Sequence, residues 1–69
     1  MTSEQIAAQR EADRLHDEEE REKRIAMQLP EGSERDEHWM RGERLSDRAW
    51  SIEEAHDLNY RPSGLWSAH

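Results

Sequence analysis

The chain has no cysteine, which removes disulfides, cysteine-ligated metals and thiol nucleophiles together. Valine and phenylalanine are also absent. Five leucines and three isoleucines in 69 residues fall well under the roughly 20% level associated with disorder in highly charged chains. No apolar run approaches the roughly 20 residues of a membrane span. Met1 to Arg10 lacks the basic start and apolar centre of a signal peptide. The cytoplasm is therefore the expected location, and no membrane partner is expected. Positive charge is scarce as well: ten basic residues face 17 acidic ones, for a formal net charge of -7. That sign argues against direct binding to nucleic acid, whose phosphates call for clustered Lys and Arg. A basic partner surface fits better.

A chain of 69 residues is expected to form one domain at most, because so short a chain hides only about 60% of the surface it exposes when unfolded. Three Trp, one Tyr and three Met add apolar area that the aliphatic residues do not supply. The expectation is a monomer of marginal stability that orders better with a partner, since small scaffolds usually need disulfides, a metal or oligomerisation.

Only three glycines and two prolines punctuate the chain. From Ser3 to Gln28 there is neither, and the stretch is rich in Glu, Gln, Ala and Arg, which lose little on entering a helix. Residues 3–28 are thus predicted as one helix, with Ser3 as its cap. Asp17 with Arg21, Glu19 with Lys23 and Glu20 with Arg24 have the favourable i, i+4 spacing, each worth about 0.2–0.5 kcal/mol. Ala8, Ala12, Leu15, Ile25, Ala26 and Leu29 share one side of this helix, but Glu18, Glu19 and Glu22 interrupt it. The stripe predicts a solvated helix that docks only by its ends, in preference to a continuous coiled-coil seam.

Leu29-Pro30-Glu31-Gly32-Ser33 reads as a turn over 29–33, because Pro30 disfavours helical geometry at Leu29 and Gly32 accepts unusual dihedrals. Ser33 with Asp36 makes a variant capping box for a second helix over 34–58. His38, Gly42, Leu45, Ala49, Ile52 and His56 recur at spacings of four and three and share a face, flanked by Trp39 and Trp50. Ser46 and the capping box Ser51-Ile52-Glu53-Glu54 predict a break near 46–51. Residues 59–69 read as a turn and a tail, with Leu65-Trp66 expected to fold back on the helices. The expected fold class is all-α, with two or three helices: a long N-terminal one and a helical hairpin partner.

Gly32-Ser33-Glu34-Arg35-Asp36-Glu37-His38-Trp39-Met40-Arg41-Gly42-Glu43-Arg44-Leu45 resembles a signature in a family of small bacterial domains of unknown function: a Gly, a short polar link, His-Trp, then a small residue followed by Glu and Leu. In that family an Arg-Ala-aromatic helix precedes an Arg-Pro-x-Gly turn, which Arg48-Ala49-Trp50 and Arg61-Pro62-Ser63-Gly64 resemble. Here the second half of the pattern comes first. Residues 32–45 and 48–64 would then be two degenerate copies, with Leu29-Pro30-Glu31-Gly32 and Arg61-Pro62-Ser63-Gly64 as corresponding turns. The resemblance implies a bacterial or phage source, a short helical unit and no known reaction.

Catalysis is not expected, because an enclosing pocket needs apolar walls that this chain can hardly supply. No Gly-x-Ser-x-Gly turn, phosphate-cradling loop or His-Glu-x-x-His helix is present either. Glu53-x-x-His56 has the spacing that di-metal helical bundles use, and Asp13-x-x-His16 is its nearest imitation, whereas Arg35 stands before His38. A metal site at Glu53 and His56 would have to form on oligomerisation and ranks third; no cofactor is expected. First comes packing: Trp39, Leu45, Trp50, Ile52 and Trp66 as an apolar surface completed by a protein partner or a second copy, with the Trp residues as anchors. Second comes mimicry, in which Asp13, Asp17, Glu18, Glu19, Glu20 and Glu22 imitate phosphates in the basic groove of a nucleic-acid-binding protein. Arg14, Arg21, Lys23 and Arg24 interleave with those carboxylates and dilute their field.

Overall fold

The computed structural model describes residues 1–59. They form two helices, α1 (Ser3–Gln28) and α2 (Ser33–Ala55), and no strand. Gln5 reaches His56 at one end and Glu22 reaches His38 toward the other, so the helices run antiparallel as a hairpin. The all-α class and the helical hairpin agree with the sequence. Trp66 and the turn Arg61-Pro62-Ser63-Gly64 lie outside the described residues.

Thr2, one residue before the expected cap, closes the start of α1. Its Oγ1 accepts from the Gln5 N–H at 3.1 Å while Gln5 Oε1 accepts from the Thr2 N–H at 3.0 Å, a complete capping box. At the other end Leu29 is extended (φ -94°, ψ 150°), as the residue before a proline prefers. Gly32 then takes φ +154°, a region that side chains disfavour. Gly32 itself occupies the cap position of α2 without a side-chain hydrogen bond, so the expected Ser33–Asp36 capping box does not form. Ser33 is already the first helical residue.

The expected break near 46–51 is absent, and α2 is continuous. Ser46 is buried, and Ser51 Oγ donates back to the Asp47 carbonyl at 3.0 Å, so neither hydroxyl opens the helix to cap a new one. Nor does α2 reach residue 58. Leu58 N–H donates to Glu53 O at 2.8 Å and Asp57 N–H to Glu54 O at 3.3 Å, while Asp57 adopts φ 56°. This Schellman arrangement ends the helix, with Leu58 turned inward and buried.

Contrary to the expectation of a helix docked by its ends, α1 buries side chains along its whole length, from Ala8 through Ala12, Leu15, His16, Glu19 and Lys23 to Ala26. The apolar centre is small: Ala12, Leu15 and Ala49, with Leu45 and Ile52 partly buried against them. Burying Leu15 contributes about 1.5–3 kcal/mol. On α2 the buried stripe is Gly42, Ser46, Ala49 and Glu53, turned by roughly 50° from the face that contains Leu45 and Ile52. Small residues hold the line of closest approach, and the larger apolar ones lie beside it.

Gly42 marks that closest approach. A Cβ there would stand 2.9 Å from Lys23 Cγ and 3.3 Å from the Glu19 carbonyl oxygen, so the neighbouring helix leaves no room for a methyl group. Gly42→Ala gains about 1 kcal/mol of helix propensity against an overpacking cost of about 1–3 kcal/mol. The variant is therefore expected to show a lower urea midpoint by circular dichroism at 222 nm. A higher midpoint, the ordinary result of this substitution in a helix, would show that the helices are not held so close.

Candidate functional site

A row of charged and polar side chains runs between the helices where an apolar core would ordinarily sit. On α1, Ala12, His16, Glu19, Lys23 and Ala26 follow one another at spacings of four and three, so the periodicity of the helix carries all five inward. His16 Nε2 lies 3.2 and 3.3 Å from the two carboxylate oxygens of Glu53 on α2. His16 Nδ1 faces Glu19 Oε1 at 3.7 Å, beyond hydrogen-bond range. Lys23 Nζ donates to Glu19 Oε2 at 2.8 Å and approaches Glu43 Oε1 to 3.3 Å. Its ammonium also stands 4.9 Å from the centre of the Trp39 ring, within cation–π distance. His16, Glu19, Lys23 and Glu53 are each no more than 2% exposed.

Glu53 was singled out in the sequence for its spacing to His56, yet its carboxylate meets His16 across the helix interface. His56 caps the end of α2, and its carbonyl accepts from Gln5 Nε2 at 3.1 Å. Among the described residues no group of three or more His, Asp or Glu is placed to hold a metal ion. The residues that sequence reasoning missed are His16, Glu19 and Lys23 as interior groups. Their common row with Ala12 and Ala26 was the available signal, obscured because charged residues are normally assigned to the solvent face.

Trp39, Leu45, Trp50 and Ile52 are divided by the buried stripe of α2. Leu45 and Ile52 lie on one flank and pack against Ala12, Leu15 and Ala49. Trp39 and Trp50, eleven residues apart and so within about 20° of each other around the helix, lie on the other. Trp39 is half-buried beside Lys23, and Trp50 keeps 39% of its surface exposed.

The carboxylates read as a phosphate-like display are spoken for locally. Glu19 is inside; Glu18 pairs with Arg14, Glu20 with Arg24 and Glu22 with His38. Arg14 also grips Glu11. That hydrogen bond, with the positive charges of Arg14 and Arg48 adding to it, holds the Glu11 carboxyl below the ordinary carboxylate range and outweighs its slight desolvation. The same contact raises the Arg14 guanidinium above its usual value. Both groups face solvent, where such pairs contribute little to stability.

Removing Lys23 takes away the donor to Glu19 Oε2. Lys23→Met leaves Glu19 buried without its ammonium and is expected to cost about 3–5 kcal/mol, enough to abolish helicity in a hairpin this small. The double variant Glu19→Leu/Lys23→Met removes both charges and is expected to recover most of the helicity, read by far-ultraviolet circular dichroism. Equal losses in the single and double variants would show that the pair is not what holds this level of the hairpin. The resemblance of 32–45 and 48–64 to a family of small bacterial domains rests on those residues alone, since no protein-family model, curated protein or solved structure matches the chain.

Proposed function

We propose that this chain is a protein–protein interaction module whose working surface is the flank of α2 that presents Trp39 and Trp50. The observation that carries the reading is Trp50, large, aromatic and 39% exposed in a chain with so few apolar residues. Trp is the residue type most often found as an energetic anchor at interfaces. The shape supports it. The hairpin measures 44 × 21 × 14 Å, a single layer of helices, whereas stable domains ordinarily pack two layers. Met27, 60% exposed, adds adaptable apolar surface of the kind used by binding proteins. Lys23, fixed by Glu19 and Glu43, holds the Trp39 ring from beneath and limits the ordering that binding would require.

A regulatory or adaptor role needs only such binding. A protein retained by the immobilised chain is expected, once purified, to bind Trp50→Ala at least tenfold more weakly than the parent, a difference of about 1.4 kcal/mol or more. Helicity should be unchanged, because Trp50 is the more exposed of the two anchors. Equal affinity for both chains, or no protein retained above the bare resin, would reject the Trp-anchored reading.

A further inference from the structure

The flank opposite the two tryptophans has a different chemistry. There a shallow groove is lined by Glu18, Glu22, Arg41, Arg44, Leu45 and Arg48. Its α1 rim is acidic and its α2 rim basic, with Leu45 in the floor. Three arginines gathered on one rim are conspicuous in a chain of net charge -7. All three are exposed, and among the described residues they form no salt bridge or hydrogen bond.

We propose that this groove is the docking surface for a second copy of the same chain, related by a two-fold axis parallel to the helices, and that the pair forms a four-helix bundle. This goes beyond the Trp-anchored reading and uses the other side of the hairpin. The argument is charge complementarity with a fixed register. A two-fold axis along the helices lays α1 of one copy over α2 of the other at the same height. Within one chain the antiparallel packing sets Glu22 beside His38, Gly42 against Glu19, and Gln5 against the His56 carbonyl. The same levels across the axis bring Glu22 to Arg41, Glu18 to Arg44 and Glu11 to Arg48 of the second copy, each contact occurring twice. Glu11, Glu18 and Glu22 are separated by seven and four residues, so they form one row within about 40° on α1. A two-fold axis perpendicular to the helices would instead set α1 on α1 and α2 on α2, with like charges opposed.

Glu18 and Glu22 already bind Arg14 and His38, yet a carboxylate has about four acceptor sites and can take a second donor. The excess negative charge of the chain lies away from this groove, where the net count of lining charges is positive.

Sedimentation of the untagged full chain at tens of micromolar and low salt is expected to give a dimer that weakens as salt rises. Arg41→Glu/Arg44→Glu and Glu18→Arg/Glu22→Arg are each expected to raise the dimer dissociation constant at least tenfold. Mixing the two variants should restore a dimer containing one chain of each. Because the parent chain has no cysteine, a mixture of Glu18→Cys and Arg44→Cys chains gives a second reading independent of charge reversal. The mixture should form a disulfide-linked heterodimer far faster than either chain links to itself. Trp50→Ala should leave the dimer intact, which separates this inference from the partner-binding surface. A monomeric parent, a dimer indifferent to charge reversal, or a Cys mixture that links no faster than its components would overturn the proposal.

Discussion

The contact between Gly42 and the Glu19–Lys23 level of α1 sets the geometry of everything else in this hairpin. With no Cβ on Gly42, the second helix lies against the stem of Lys23 and the Glu19 carbonyl. That proximity is what closes the interior around a lysine and a glutamate. Once there, neither can hydrate, so each must satisfy the other, and the 2.8 Å contact between them follows from burial. The Lys23 ammonium then finds Glu43 and the face of Trp39, both on α2. One missing methyl group thereby ties the register of the two helices to a specific set of polar partners.

A polar interior of this kind contributes differently from an apolar one. Apolar contacts tolerate sliding, and the cluster of Ala12, Leu15 and Ala49 with Leu45 and Ile52 is too small to define a register alone. His16 with Glu53 and Lys23 with Glu43 are directional contacts that cross between the helices, and a shift by one turn would separate the buried His16 and Glu53 side chains from each other. The hairpin is therefore held at two levels by polar contacts and between them by small side chains. It is thin because its core is small, and a thin hairpin leaves two broad faces.

Those faces are chemically unlike. One carries Trp39 and Trp50; the other carries the groove between an acidic and a basic rim with Leu45 beneath. Under the two proposals above, the aromatic face would meet a different protein and the charge-matched groove a second copy, a groove of that kind needing few hydrophobic residues to specify its match.

Much of the local structure was legible in the sequence. Residues 3–28 are helix-forming throughout, and Pro30 with Gly32 stops them, because backbone sterics act over one or two residues whatever the surroundings. The pairs Glu19–Lys23 and Glu20–Arg24 also follow from helical spacing alone. Tertiary structure decided which of those pairs is inside. Glu19 counted as an interruption of an apolar stripe, and only a second helix brought close by Gly42 turns it into an interior partner for Lys23. Glu53 was equally ambiguous: its spacing to His56 is local, but its contact with His16 spans 37 positions of chain. The serines at 46 and 51 carry the pattern of a helix break, overridden because Ser46 is packed against α1 and Ser51 bonds within its own helix. Sequence fixes what a residue can do within a turn or two of helix. Which side of the fold it faces depends on the register between helices, and that register is a property of the pair.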